Sequence, residues 1–378
     1  MIYPWFDYCQ RQATTLAGFM KWPFAEAEPW ARYLRLGPEF FARNAASAEP
    51  VAVDLKTALA DPNLEHRIVE SDPFAAISMY RRPSAPNRTI LAVLPHSGYA
   101  ASALRAFVDA LLNLGTVVVT EWRDPRLVPM SFAGFGLLDQ VALLERTLEK
   151  LNQPVTVIGL SQAGWPTVIA AERHPKQVQA IAMLGAPIDP TSNPSPMQDW
   201  LAATPLTMVE QMLTSTVPDR FAGRGRRVFP ALLQLWTHAG TSPMQYFDAQ
   251  NGLINSILNN KPAIKHDEMH RLCDVPAELF LDMIGLLRRS PQAILDDFAG
   301  GFDVEALQAK PLLTVEADAD PLVGRGQTHG VGHLLRSKTH AQRTIKGGDH
   351  IDLFVGPQFT NQVLTGLAEF VVQHSPET

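Results

Sequence analysis

The chain has 378 residues, 46% of them hydrophobic and 19% charged, with a formal net charge of −6. Such a composition excludes a disordered or fibrous chain and leaves room for one large domain or two. The acidic balance and the lack of a long basic run argue against nucleic acid as a main partner, because phosphate contacts need clustered Lys and Arg. The two cysteines, Cys9 and Cys273, are too few for a disulfide framework and lack zinc-site spacing.

Residues 1–65 read as a helical arm rich in aromatics, among them Trp5, Phe6, Phe19, Trp22 and Trp30. Such an arm either packs on the rest of the chain or docks on an apolar particle or a second subunit, so a homodimer is one expectation. The first residues lack the basic n-region and apolar h-region of a signal peptide. The longest uncharged apolar stretch, residues 155–171, carries Ser161, Gln162, Pro166 and Thr167, which makes it a poor membrane span. A cytoplasmic protein with no transmembrane segment is expected.

Further along, residues 69–82 read as a strand pair and 89–94 as a buried strand that ends in Pro95-His96-Ser97-Gly98-Tyr99. An amphipathic helix over 101–114 and a strand over 116–120 follow. Residues 137–151 form a helix with Asp139, Glu145, Arg146 and Lys150 on its wet face. Residues 155–158 are a β-branched strand, 167–172 continue as helix, and 178–184 are a further strand. Buried β-branched runs alternating with helices predict a mainly parallel sheet covered on both faces. The alternation stops near Ile188 and resumes at Pro311-Leu312-Leu313-Thr314-Val315-Glu316. The expected organisation is an α/β core over 66–188 and 299–378, with a helical cap over the active site at 189–298.

The chemistry centres on Gly159-Leu160-Ser161-Gln162-Ala163-Gly164. A strand, one serine among small residues, and a helix make the context of a nucleophile elbow, here a variant of G-x-S-x-G with Ala163 in the fifth place. The serine sits at the carboxyl edge of a sheet, above a helix N-terminus that favours negative charge. The chain order of the α/β-hydrolase fold then requires an acid after a late strand and a histidine last. Residues 312–315 are that strand, and Glu316, Asp318 and Asp320 compete for the acid. Asp320 is favoured because a loop carboxylate can turn back towards a histidine, with Asp318 in reserve. His350 follows a short strand over 342–346 and two glycines, Gly347 and Gly348, which give its ring room to swing over the serine. His350 is then the expected general base and Asp320 its orienting acid. The Gln162 N–H is one expected oxyanion donor, and Ser97 or His96 of the early loop supplies the other.

Other constellations are weaker. His329 and His333 stand four apart but have no third ligand, and no metal or organic cofactor is expected. Arg224-Gly225-Arg226-Arg227 reads as a solvated turn.

These residues resemble the intracellular polyhydroxyalkanoate (polyhydroxybutyrate) depolymerases over nearly the whole chain. The most specific likeness is Thr314-Val315-Glu316 to Asp320 followed by Gly324-Arg325-Gly326-Gln327-Thr328. Gly347-Gly348-Asp349-His350 through Phe354, Trp122-Arg123-Asp124-Pro125-Arg126 and Val275-Pro276-Ala277-Glu278 are also similar to family segments. Many members carry a cysteine nucleophile in C-Q-x-x-x-P, whereas Ser161-Gln162-Ala163-Gly164-Trp165-Pro166 keeps the glutamine and proline around a serine. The resemblance implies a serine hydrolase that cleaves ester bonds of polyhydroxybutyrate or its oligomers through an acyl-enzyme, with the polyester granule as its partner. A carboxylesterase or thioesterase on small soluble esters is the alternative within enzymes. A non-catalytic granule protein with a hydrolase fold is the alternative outside them.

Overall fold

The computed structural model describes residues 54–96, 98–241, 243–259, 270–297 and 302–375, with single positions or pairs between 36 and 50 and between 263 and 267. The aromatic stretch of the expected helical arm therefore lies outside the described residues. The arm's last part holds one helical turn, Leu55–Leu59, and gives way to a strand at Glu65.

One eight-stranded sheet organises the chain. Its strands are β1 Glu65–Asp72, β2 Ala75–Arg81, β3 Thr89–Val93, β4 Thr116–Trp122, β5 Val155–Leu160, β6 Val178–Leu184, β7 Leu312–Ala317 and β8 His340–Ile345. They lie in the order β1-β2-β4-β3-β5-β6-β7-β8. The six from β4 to β8 are mutually parallel, whereas β1 pairs with β2, and β2 with β4, antiparallel. The helices flanking the sheet include α1 Arg105–Leu111, α2 Leu137–Leu151, α3 Gly164–Arg173 and the C-terminal helix 364–374.

The central strands are continuous apolar runs because both faces are covered. Every residue of β3 and β5 is buried. Period-two geometry divides them between two cores. Leu91, Val93, Val157 and Met183 face a layer with Leu144, Leu148, Val168 and Ile169. Ile90, Ala92, Ile158, Leu160 and Leu184 face the other, with Phe107, Leu111, Leu367 and Phe370. The outer strands β1 and β8 are largely exposed. Charges line them, among them Glu65, Arg67 and Arg343, which suits a sheet edge.

Between β6 and β7 the chain leaves the sheet. It forms α4 Pro196–Ala203, α5 Leu206–Leu213, α6 Ala231–Thr241, α7 Pro243–Asn259, α8 Ala277–Leu286, α9 Pro291–Asp297 and α10 Val304–Gln308. Short antiparallel ribbons stitch this insertion together and onto the sheet. Ser215–Thr216 pairs with Arg227–Phe229, which pairs with Val275–Pro276, while Leu272–Cys273 pairs with Gly98–Tyr99 after β3. Among the described residues no helix is long and apolar enough to cross a membrane.

Candidate active site

Strand β5 ends at Leu160, and Ser161 takes φ +49° before α3 begins at Gly164. A left-handed conformation at a non-glycine residue costs about 1–3 kcal/mol and persists only where the surroundings enforce it. The small neighbours explain how. A Cβ on Gly159 would lie 2.9 Å from both Met183 Sδ and Thr167 Oγ1, and one on Gly164 would lie 2.6 Å from Ala186 Cβ. Only glycine at these two points lets α3 approach β5 and the end of β6 so closely. Ala163 is fully buried, so its methyl is accommodated where the more common pattern has glycine.

Ser161 Oγ lies 2.8 Å from His350 Nε2. His350 Nδ1 lies 2.6 Å from Asp320 Oδ2. The other oxygen of Asp320 accepts the backbone N–H groups of Leu322 (2.8 Å) and Val323 (2.9 Å), which aims the carboxylate at the ring. Phe354 sets an edge-to-face contact on the imidazole at 5.3 Å. With its Nδ1 proton held by Asp320, the ring presents the Nε2 lone pair to the serine hydroxyl. Burial works against charge on His350. The field and hydrogen bond of Asp320, with Asp349 behind them, outweigh it and raise the imidazole above its ordinary value.

The three competing carboxylates have different partners. Glu316 lies inside β7 and is buried. Its oxygens accept the N–H groups of Gly326 (2.9 Å), Thr328 (2.8 Å) and His329 (2.9 Å), so it anchors the loop after the acid. Asp318 accepts from Gly347 N–H at 2.6 Å and ties that loop to the glycines before His350. Of the three, Asp320 alone is hydrogen-bonded to His350.

On the oxyanion side one expectation needs correction. The His96 N–H donates to Gln162 Oε1 at 2.8 Å, and Gln162 Nε2 donates to Gln140 Oε1 at 3.1 Å. The His96 amide is thus committed to the elbow residue's side chain and is not the second donor in this arrangement. Its ring stacks on Trp122 at 4.8 Å, and burial pushes its imidazole down to about 3, so it is neutral. Ser97 lies outside the described residues. Gln162 follows the serine directly and carries its backbone N–H into the elbow turn.

One further expectation changes. Arg226 is not a solvated turn residue: it is 3% exposed, and its guanidinium donates to the carbonyls of Ala133, Pro129 and Phe132 while lying over the Phe74 ring. His329 is committed to structure. Its Nδ1 lies 2.7 Å from Thr314 Oγ1, and its Nε2 lies 3.5 Å from Glu316 Oε2. Among the described residues no group of three or more His, Cys, Asp and Glu side chains is placed to hold a metal. Sequence reasoning missed Gly185 and Gln140. A positive φ at a strand end signals the first only in coordinates, and a glutamine on a helix signals nothing about a partner 22 residues away.

The sheet order, the strained serine between β5 and α3, and the late acid and histidine define an α/β-hydrolase. Among solved structures, 1063 chains match the fold, so the fold alone selects no substrate. DcsB, solved in complex with its substrate analogue, is 14% identical with a TM-score of 0.51, covering 82% of this chain and 99% of that one. The monoacylglycerol lipase of Paleococcus ferrophilus is 13% identical with a TM-score of 0.49, covering 77% of this chain and 96% of that one. No curated protein matches the sequence. A family model described as "PHB de-polymerase C-terminus" matches residues 185–375, half of the chain. The chain belongs to this polyhydroxybutyrate depolymerase family and is an ester hydrolase.

Proposed function

We propose that this protein hydrolyses the ester bonds of polyhydroxyalkanoates, polyhydroxybutyrate or its oligomers, through an acyl-enzyme on Ser161. The observation that carries the reading is the continuous hydrogen-bonded line from Ser161 Oγ through the His350 ring to Asp320, at a serine held at φ +49°. A serine hydroxyl is a weak nucleophile at neutral pH and needs such a base.

In the first step Ser161 Oγ bonds to the ester carbonyl carbon while its proton passes to His350 Nε2. Asp320 remains ionised and stabilises the imidazolium. The carbonyl oxygen becomes an oxyanion, and the Gln162 N–H donates to it. The tetrahedral carbon then expels the hydroxyl end of the neighbouring unit, which takes the proton back from His350. Water, giving its proton to the same ring, attacks the acyl-serine; the bond from the carbonyl carbon to Oγ breaks, Ser161 Oγ takes that proton back from His350, and the 3-hydroxy acid leaves.

The helices between β6 and β7 serve as a cap over this site, and the granule surface is the partner. The experiment is release of 3-hydroxybutyrate from amorphous granules by the wild type and by Ser161→Ala. Wild-type rates in the variant would remove the assignment. Equal rates per bond on soluble short esters and on granules would redirect it to a small-ester hydrolase.

A further inference from the structure

The segment after β3, where an α/β-hydrolase draws its second oxyanion donor, is held from two sides by different parts of the chain. At His96 it is bonded to the elbow through Gln162. At its far end it is bonded to the insertion: Leu272 and Cys273 pair with Tyr99 and Gly98, and the Ala100 N–H donates to Arg271 O at 2.8 Å. The next residue, Asp274, is fully buried and anchors this strand. Its Oδ1 accepts from Ala231 N–H at 2.9 Å, at the start of α6. Its Oδ2 lies 3.6 Å from Arg126 Nε. Arg126, itself fully buried, is gripped by Asp124 through Nε at 2.9 Å and Nη2 at 2.6 Å. Asp124 and Arg126 belong to the loop after β4, the strand beside β3. A buried carboxylate–guanidinium–carboxylate cluster therefore fixes the insertion's strand in register with the segment that follows β3.

We propose that Asp274 is a positioning residue for oxyanion stabilisation. The strand Leu272–Cys273, locked by the Asp274–Arg126–Asp124 cluster, sets the segment after β3, so that the seating of the insertion determines how well the developing oxyanion is held. This rests on Ser161 being the nucleophile. It adds that the insertion acts on the chemical step and does more than cover the site. A misplaced donor weakens the transition state while leaving the bound ester almost unaffected, because the oxyanion forms only during reaction.

Two variants test it. Asp274→Asn puts an amide N–H where a carboxylate oxygen faces Arg126. Ala100→Pro removes the N–H that donates to Arg271 O, and Ala100 already has φ −57°, which proline adopts without strain. Both are compared with the wild type on p-nitrophenyl butyrate, with rates expressed per active site from burst titration, alongside inhibition by an alkylboronic acid whose tetrahedral adduct on serine fills the oxyanion position. The expected result is a kcat lower by about tenfold to a hundredfold, a boronate Ki raised by a similar factor, and KM within about twofold of wild type. Melting temperature is followed in parallel. If kcat per titrated site and boronate Ki stay at wild-type values in both variants, the cluster is only a structural brace and the proposal is overturned, whatever the melting temperature does. Full activity in Ser161→Ala would instead remove the reading of the site on which it rests.

Discussion

Gly185 leaves no space for a side chain beside His350. A Cβ at this position would lie 3.1 Å from His350 Cε1 and 2.8 Å from Leu353 Cδ1, and the residue holds φ +57°. Its N–H donates to Val315 O at 2.9 Å, so the end of β6 is pinned to β7 and cannot draw back. The serine, the acid and the histidine come from three separate loops, and this glycine is where the end of β6 meets the imidazole. Gly185→Ala is expected to push the ring away from Ser161 and lower kcat by about tenfold to a hundredfold, because small misplacements of a positioned base are costly. It should also cost about 1 kcal/mol or more of stability from the positive φ. Steady-state kinetics with a urea titration separates the two effects, and an unchanged kcat would show that the ring does not depend on this contact.

The charge state of His350 sets the pH dependence. Burial disfavours the charged ring, but Asp320 and Asp349 raise it above the ordinary histidine value of 6.5. In the proposed mechanism the neutral ring is the base, so kcat/KM should rise with pH through a midpoint above 6.5. Asp320→Asn removes the largest favourable partner and leaves burial, so the midpoint should move down while kcat falls by about 10⁴. The linked stability has the opposite sense. A pKa raised on folding contributes stability that is fully present below the unfolded value of 6.5 and is lost as pH rises through the folded one. A pH–rate profile of both proteins checks the shift, and a midpoint that stays in place on Asp320→Asn would mean that the carboxylate does not govern the ring.

How much of this was legible in the sequence depends on the range of the interactions. The central strands were readable because burial on both faces leaves an unbroken apolar run, and β6 and α2 occupy the predicted residues 178–184 and 137–151. The first strand begins four residues before its expected start, because an edge strand such as β1, with Glu65, His66 and Arg67, has no buried pattern to read. The elbow was readable because its small residues are local to the turn. Arg226 was not: a run of three arginines among four residues looks solvated, and its burial comes from carbonyls more than ninety residues away. The commitment of His96 N–H was equally hidden, since it depends on which way the Gln162 side chain turns.

Glu316 offers a stability test apart from the reacting atoms. One buried carboxylate satisfies three backbone N–H groups in the loop from Gly326 to His329. Glu316→Ala leaves all three donors without it and should cost about 3 kcal/mol or more, as buried unsatisfied groups do. The loop starts six residues after Asp320, so the chemical step should weaken less than the fold. Urea denaturation at neutral pH measures the first and kcat the second. A loss below about 1 kcal/mol would mean that other acceptors replace the carboxylate.

The proposed nucleophile, Ser161, gives the last prediction. The serine stands where many relatives in this family are expected to carry cysteine, and the two chemistries differ in what attacks them. Cys273 is buried, and its thiol is pushed well above the usual range by burial and by the nearby Asp124, so it is a poor target for alkylation. Iodoacetamide should therefore leave wild-type activity intact. Ser161→Cys places a thiol 2.8 Å or slightly more from His350 Nε2, where the imidazole can take its proton, and that variant should lose its activity to iodoacetamide with pseudo-first-order kinetics. The larger sulfur must fit a turn already held at φ +49°, so its kcat should fall below that of serine even before alkylation. Mass spectrometry after labelling locates the adduct. Inactivation of Ser161→Cys no faster than that of the wild type, with no adduct at position 161, would show that the reacting group lies elsewhere than at this position.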